Sequence, residues 1–255
     1  MIADRKAFIR ANTRLKPVPH VPEISLYVAE ESVPIWQKTE EELNAMGLPP
    51  PYWAFAWAGG QALARYVLDN PQAVAGKRVL DLAAGSGLVG IAAAKAGAAP
   101  VAAIDIDEFT EAAVALNGEA NGVYVDVTIL DILDHAAPAE PRHDVILVGD
   151  LFYERDTAAR ALAFLERHVA IGARVLIGDP GRTYLPKERL TRLAEYSVPV
   201  TRELEDLEIK RTTVWELMDT PGSSSGGGEA AVSKDGLLSG ARAAHPRLRR
   251  VLPSR

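Results

Sequence analysis

The 255-residue sequence contains no cysteine and only five histidines. Without cysteine the chain can form neither a disulfide nor a thiolate metal site, which suits a reducing compartment, and we expect a cytoplasmic protein. The histidines do not occur in an H-x-x-x-H or H-E-x-x-H arrangement. The sequence therefore predicts no metal site.

Long hydrophobic runs are also missing. The longest apolar stretches, VILV at 145–148 and IAAAKAGAAPVAAI at 91–104, are too short or too interrupted to cross a bilayer. Residues 1–17 mix acids with bases and lack the apolar centre of a secretory signal. We expect neither a membrane span nor a membrane partner.

The composition that remains is that of a soluble globular protein, with 48% hydrophobic and 24% charged residues. Residues 220–255 carry six basic and two acidic side chains, which is a net charge of +4. Because the whole chain has a net charge of −6, residues 1–219 carry −10. An acidic body of this kind argues against a nucleic-acid partner and suits a partner that presents lysines.

Composition and pattern divide the chain into three regions: an N-terminal segment at 1–72, an α/β core at 73–219 and a tail at 220–255. The tail opens with TPGSSSGGGEAA, a linker composition that cannot bury a core, and continues without a periodic apolar face. We expect residues 220–255 to be a disordered, basic tail.

Strand-like and helix-like stretches alternate through the core. Strands are predicted at 78–83, 100–105, 125–130, 144–149 and 173–178, and helices at 87–97, 108–121, 156–170 and 186–197, the last with Pro186 in its first turn. The stretches VPVTRELED (198–206) and IKRTTVWELMD (209–219) then read as a hairpin. The predicted fold class is α/β: a Rossmann-like, seven-stranded, mostly parallel sheet with helices on both faces and a C-terminal antiparallel hairpin.

A glycine loop follows the first core strand. Gly85, Gly87 and Gly90 form G-x-G-x-x-G, and Asp105 lies twenty residues after Gly85, which matches the dinucleotide fingerprint of a dehydrogenase. However, Asp81 directly precedes this loop, and a carboxylate there would repel a pyrophosphate and attract an ammonium group.

Two further strand ends carry acids. Asp105, followed by Asp107, is suited to accept both ribose hydroxyls, and Asp131 is placed to accept from an exocyclic amine. One ligand that presents an ammonium group, a ribose diol and an adenine amine is S-adenosylmethionine, which is the cofactor we predict. The alternative interpretations are that Asp81 only caps the next helix and that Asp131 is an ordinary turn residue.

The spacing D-x-x-x-G-x-G from Asp81 to Gly87, the acid after the second strand and the terminal hairpin resemble the seven-strand S-adenosylmethionine-dependent methyltransferases. Five further stretches resemble the electron transfer flavoprotein beta-subunit lysine methyltransferase family, and the similarity runs from about Phe8 to Leu217. They are FIRANT (8–13), PPYWAFAWAGGQALARYVLDNP (50–71), VGDLFYERD (148–156), RVLIGDPGR (174–182) and TTVWEL (212–217).

The resemblance implies a set of site residues. Cofactor-binding positions would be Trp57, Gly60, Asp81, Ala83, Gly85, Gly87, Asp105, Asp131 and Asp150, with segment 1–72 packing over the cofactor site. Asp150 and Tyr153 would be catalytic, by orienting the lysine amine. Aromatic residues at 52, 53, 55 and 57 could attract the cationic reactants or simply pack the N-terminal segment onto the sheet.

The function implied is a protein-lysine N-methyltransferase whose substrate is the beta subunit of electron transfer flavoprotein, acting as a monomer. A ribosomal-protein lysine methyltransferase, a small-amine methyltransferase, a cofactor-holding module without turnover and a dehydrogenase stay open as alternatives. The sequence does not identify the modified lysines or the number of methyl groups.

Overall fold

The computed structural model describes residues 2, 4–29, 50–140, 142–200 and 209–219. The expected disordered tail at 220–255 lies outside the described residues, as does most of the strand predicted at 198–206. In the described ranges, no helix is both long enough and apolar enough to cross a membrane.

From residue 78 to residue 179 the strands and helices follow the predicted order. The helices are α1 (Arg5–Asn12), α2 (Ala58–Asp69), α3 (Leu88–Lys95), α4 (Glu108–Asn121) and α5 (Arg155–Val169). The strands are β1 (Arg14–Val18), β2 (Val21–Val28), β3 (Val79–Leu82), β4 (Val101–Asp105), β5 (Asp126–Ile129), β6 (Val145–Gly149), β7 (Arg174–Asp179), β8 (Leu190–Pro199) and β9 (Ile209–Leu217).

Strands β3 to β9 form one seven-stranded sheet in the order β5-β4-β3-β6-β7-β9-β8. The first five strands of this order are parallel, and β9 pairs antiparallel with both β7 and β8. The predicted fold class is therefore confirmed, including the C-terminal hairpin.

Helices cover both faces of the sheet. Because consecutive strand residues point to opposite faces, each strand contributes side chains to two cores. Leu147 of β6 belongs to a buried cluster with Leu63 of α2 and Ile91 of α3. The preceding residue, Ile146, belongs to the cluster that contains Phe164 of α5. The near-continuous apolar runs of these strands thus fill two separate cores.

The helix predicted at 186–197 is wrong. Residues Lys187–Arg189 form a single 3-10 turn, and the chain then continues as strand β8. β8 pairs along its length with β9, from Leu190 opposite Leu217 to Pro199 opposite Ile209. The first hairpin strand therefore lies about eight residues earlier than predicted, because pairing with β9 satisfies the backbone groups that a helix would have bonded internally.

The residues before the core attach to it through asparagine side chains. β1 and β2 form a separate antiparallel hairpin. The backbone N–H of Tyr27 donates to Oδ1 of Asn117 at 2.8 Å, and Asn121 both accepts from and donates to the backbone of Ser25. These bonds fix the edge of β2 to the last turns of α4.

Candidate active site

Three of the predicted acids, Asp81, Asp105 and Asp150, lie at the same end of the sheet, together with Asp179. β4, β3, β6 and β7 are neighbours and parallel, and Asp105, Asp81, Asp150 and Asp179 lie at or near their carboxyl ends. In this topology β3 and β6 flank the point where the strand order reverses, and ligands bind in the crevice at that point. The acids at these strand ends therefore lie at one place, where a ligand of this fold would bind.

The loop after β3 is held in an unusual backbone conformation. Ala83, Gly85 and Gly87 have φ angles of 56°, 51° and 77°, in the left-handed region. A Cβ atom at Gly87 would lie 2.8 Å from a methyl carbon of Val114, so no larger residue fits there. Ala83 pays a conformational cost of about 1–2 kcal/mol that glycine would avoid.

Asp81 is 2% exposed and ties this loop to α3. Its Oδ2 accepts a hydrogen bond of 2.7 Å from the backbone N–H of Gly90, in the first turn of α3. This is the helix-capping contact of the alternative interpretation, and it occupies one of the two carboxylate oxygens. Burial, opposed by the Gly90 bond and reinforced by the charge of Asp105, raises the pKa of Asp81 to about 8.

Asp81 makes stability depend on pH in a specific direction. Because the folded-state pKa lies above the unfolded value, its contribution is present at low pH and is lost as the pH rises through about 8. Asparagine can keep the Gly90 bond and cannot ionise. We compare the Tm of Asp81→Asn with that of the wild type, both without cofactor. We expect the Tm of the variant minus that of the wild type to increase by about 5 °C or more from pH 5 to pH 9. A Tm difference that stays constant over this range would contradict the prediction.

Asp105 connects the glycine loop with the end of β4. Its Oδ2 accepts from the N–H of Gly85 at 2.8 Å, and its Oδ1 accepts from the N–H of Asp107 at 2.9 Å. Asp107 in turn caps α4 by accepting from Phe109. A carboxylate has about four acceptor positions, so Asp105 keeps capacity for two hydroxyl donors.

Three aromatic rings lie together beside the glycine loop. The ring of Tyr52 is 5.9 Å from that of Trp57 and 6.0 Å from that of Tyr153, measured between centroids. The indole N–H of Trp57 donates to the carbonyl of Tyr52, and that carbonyl lies 3.7 Å from where a Cβ of Gly85 would stand. Burial is the main cause that raises the pKa of Tyr153 to about 12, so its hydroxyl stays protonated at neutral pH.

The other two aromatic residues of this stretch are structural. Trp53 is buried and stacks on Phe109 with ring centroids 5.4 Å apart, and Phe55 is buried in the same cluster. The packing interpretation therefore applies to Trp53 and Phe55, whereas Tyr52 is exposed.

Asp150 joins three elements on the other side of the reversal point. It follows β6 with a φ of 56°, and it is 7% exposed. Its Oδ2 accepts from the N–H of Gly60 in the first turn of α2 at 3.0 Å, and its Oδ1 pairs with Nη2 of Arg182 at 2.9 Å. The predicted residues Gly60 and Asp150 are thus in direct contact.

Sequence reasoning missed the role of the turn after β7. Oδ1 of Asp179 accepts from the backbone N–H groups of Gly181 and Arg182, both at 2.6 Å, and this turn places Arg182 against Asp150. The signal available in the sequence was a strand-end Asp-Pro-Gly turn followed by a basic residue.

Asp131 is not drawn into this group. It is exposed, and both its carboxylate oxygens bond to Nη2 of Arg160 on α5 at 2.9 Å. Asp134 pairs with the same guanidinium. A contact of Asp131 with an adenine amine stays a prediction, and it would have to coexist with this ion pair.

The residues present fit S-adenosylmethionine in their chemistry. A glycine loop that lies against the backbone of Tyr52 leaves no side chain in the way. Asp105 supplies a carboxylate for a ribose diol. Asp81 can offer its second oxygen to an ammonium group, whose positive charge would favour the ionised form of this acid, and the faces of Tyr52 and Trp57 suit a cationic sulfur. No phosphate-binding cation is part of this loop.

The sheet order, the terminal hairpin and this constellation define a seven-strand, S-adenosylmethionine-dependent methyltransferase. Residues 51–194 match the model of a lysine methyltransferase family. The chain is 36% identical over 219 residues to the electron transfer flavoprotein beta subunit lysine methyltransferase of Mus musculus, which covers 83% of this chain and 84% of the mouse protein. It therefore belongs to the electron transfer flavoprotein beta subunit lysine methyltransferase family, and its cofactor is S-adenosylmethionine.

More distant relatives are consistent with this membership. A homologue from Caenorhabditis elegans is 33% identical over 229 residues, with 81% of this chain and 93% of the worm protein covered. The ribosomal protein L11 methyltransferase of Dechloromonas aromatica is 34% identical over only 121 residues, which is 47% of this chain and 39% of that protein.

Proposed function

We propose that this protein transfers the methyl group of S-adenosylmethionine to lysine ε-amines of the electron transfer flavoprotein beta subunit. The observation that carries the proposal is the similarity of most of the chain to enzymes named for that substrate. The acidic body of residues 1–219 supports it, since a lysine-bearing surface is the partner such a body would attract.

Lysine can accept the methyl group only as the neutral amine. With an ordinary pKa of about 10.4, losing the proton to solvent near pH 7.5 costs roughly 4 kcal/mol. A partly desolvated site beside Tyr153 offsets some of this cost, because burial disfavours the ammonium form. We assign the carboxylate of Asp150 and the hydroxyl of Tyr153 to accept from the amine N–H groups and to fix the direction of its lone pair.

The cofactor side is assigned to the glycine loop and its neighbours. When bound, S-adenosylmethionine supplies an electrophilic methyl group, and the nitrogen–carbon bond forms as the sulfur–carbon bond breaks, leaving S-adenosylhomocysteine. Asp105 would hold the ribose diol, Asp81 the ammonium end through its second oxygen, and Trp57 and Gly60 would enclose the cofactor from the side of α2. Ala83, Gly85 and Gly87 would shape the loop beneath it.

The finer parts of the proposal concern organisation. We propose that segment 1–72 covers the cofactor site, which the contact of Tyr52 with the glycine loop supports, and that the enzyme acts as a cytoplasmic monomer. No nucleic acid or membrane is part of the proposed reaction.

Methyl transfer from radiolabelled S-adenosylmethionine into two purified acceptors tests the proposal. We expect label in the beta subunit of electron transfer flavoprotein and none in ribosomal subunits, with at least a tenfold loss of label in Asp105→Ala. Label in the ribosomal protein alone would favour the ribosomal alternative. Label in neither acceptor, with cofactor bound by calorimetry, would overturn the proposed substrate and leave the cofactor assignment standing.

A further inference from the structure

The carboxylate of Asp150 is held by a guanidinium that no step of the proposed reaction uses. The Arg182–Asp150 pair spans 32 residues of sequence and is largely removed from water, with side chains 22% and 8% exposed. In such surroundings an ion pair is screened far less than on the surface. The charge of Arg182 is therefore felt by any group that binds beside Asp150.

The position of Arg182 is fixed from its own backbone. The Asp179 carboxylate accepts from two successive backbone N–H groups, and the second of these belongs to Arg182 itself. Asp150 is fixed as well, because its other oxygen accepts from Gly60 and its backbone is in the left-handed region. Because both partners of the ion pair are anchored in this way, the Asp150 carboxylate is a rigid acceptor of hydrogen bonds.

The burial of Asp179 costs stability. It is 1% exposed, and its Oδ2 has no hydrogen-bond partner among the described residues. Burial and the charge of Asp150 raise its pKa to about 6. Strained and poorly satisfied groups of this kind cluster at functional sites.

We infer that Arg182 is a positioning residue for methyl transfer: held by the Asp179 turn, it fixes Asp150 and offsets its negative charge, so that the bound lysine loses its proton near neutral pH. This inference rests on the proposed function. An uncompensated carboxylate in contact with the amine would hold it as ammonium. The guanidinium lets Asp150 accept an N–H without imposing that penalty.

The proton itself goes to solvent before the amine attacks. Transfer to Asp179, with a pKa of about 6, would be harder than loss to water at pH 7.5, since the lysine holds its proton with a pKa of about 10.4. Asp179 therefore acts through the turn that places Arg182. Asp179 is therefore also a positioning residue, and it acts on Asp150 only through Arg182.

Among the described residues, the titratable groups that act on the Arg182–Asp150 pair or on Tyr153 beside it come from four parts of the chain. Besides Asp150 and Arg182 themselves, they are Tyr153 and Glu154 after β6, Asp179 at the end of β7, Asp105 at the end of β4, and Tyr52 from the segment before α2. The first turn of α2, residues 58–61, contributes no titratable side chain. Among these groups Arg182 supplies the positive charge.

The pH dependence of the single-turnover rate constant at saturating electron transfer flavoprotein tests the inference. We expect Arg182→Met to shift the acid limb of this profile upward by about one pH unit or more, with at least a tenfold loss at pH 7 that recovers toward pH 9.5. Arg182→Lys should keep most of the charge and shift less. Arg174→Met is the matched control, because Arg174 pairs with Glu216 at the opposite end of β7.

Cofactor affinity by calorimetry and Tm are measured on each variant to verify folding. A uniform loss of rate at every pH, or an Arg182→Met profile equal to that of Arg174→Met, would overturn the inference. If Arg182→Met does not fold, Arg182→Gln, which also removes the charge, takes its place, and an acid limb that does not shift from that of the wild type rejects the inference. A wild type that labels no flavoprotein would instead remove the proposed function, and the inference with it.

Discussion

Replacing Asp150 with asparagine is expected to lower the single-turnover rate of lysine methylation at least 100-fold while cofactor affinity changes less than tenfold. Asparagine tolerates the left-handed φ of 56° at this position, so the backbone has no new reason to move. The amide oxygen can still accept from the N–H of Gly60, but the NH2 group that replaces the other carboxylate oxygen cannot accept from Arg182. The lysine amine then meets a side chain of different charge and orientation. A displacement of the reacting groups by about 1 Å can lower the reaction rate 100-fold.

The same strand provides a matched control. Asp144 precedes β6, whereas Asp150 follows it, and Asp144 makes a bidentate contact with Arg78 at 2.6 and 3.1 Å. Asp144→Asn also removes an acid from an arginine pair, but at the amino-terminal end of the parallel strands, away from the candidate site. We expect it to keep the wild-type rate. Equal rates for Asp150→Asn and Asp144→Asn would remove Asp150 from the catalytic machinery.

The stability of Asp150→Asn separates loss of function from loss of fold. Leaving Arg182 without its carboxylate should lower the free energy of unfolding by about 1–3 kcal/mol. That cost is too small to unfold a domain of ordinary stability at 25 °C. A melting profile that collapses at room temperature would mean that Asp150 is needed for folding, and the rate would then carry no information on catalysis.

The sequence was sufficient for the parallel part of the sheet because both faces are covered, which produces apolar runs of strand length such as VILVG. The sequence pattern gave a wrong prediction for β8. Leu190, Leu193 and Ala194 have the spacing of a helix face, but they lie in a strand at the edge of the sheet. An edge strand is specified by its partner, and the partner β9 lies ten or more residues further along. Local periodicity carries no record of such pairing.

The candidate site divides in a similar way. Asp81, Asp105 and Asp150 could be located because strand ends converge at one edge of a parallel sheet. The contact between Arg182 and Asp150 could not, since it depends on how far the turn after β7 reaches across a neighbouring strand. The stacking of Trp53 on Phe109 was equally invisible, because the aromatic stretch that contains Trp53 gives no sign of which rings face the core.

Backbone strain marks the same place independently of side-chain chemistry. Two non-glycine residues among those described have positive φ, Ala83 and Asp150, and they follow the adjacent strands β3 and β6. Each departure costs on the order of 1–3 kcal/mol and persists only where the surroundings enforce it. Both flank the reversal point of the sheet, which agrees with the position derived from the carboxylates.

The start of α2 reaches this point through contacts between backbones. A Cβ at Gly59 would lie 2.2 Å from the carbonyl oxygen of Gly178, and a Cβ at Gly178 would lie 2.1 Å from that of Gly59. A Cβ at Gly149 would lie 3.0 Å from Cα of Gly60. Glycine at these positions lets the helix approach the sheet closely enough for the N–H of Gly60 to reach Asp150.

Gly178→Ala is therefore expected to lower the free energy of unfolding by about 3 kcal/mol or more, measured by urea titration of tryptophan fluorescence. The clash is with backbone, which cannot rotate away as a side chain would, so α2 must move off β7. Gly60→Ala is the control on the same helix. Its Cβ would meet Leu88 and Val89 at 3.8 Å, an ordinary contact, and the gain in helix propensity should leave stability unchanged or up to about 1 kcal/mol higher.

Displacing α2 should also affect the site, which links this stability effect to function. If Gly178→Ala folds at low temperature, the N–H of Gly60 can no longer hold Asp150, and the rate of methylation should fall along with stability. Equal stability of the two alanine variants would show that α2 can shift without cost. The close approach of Gly59 and Gly178 would then have no role in positioning Asp150.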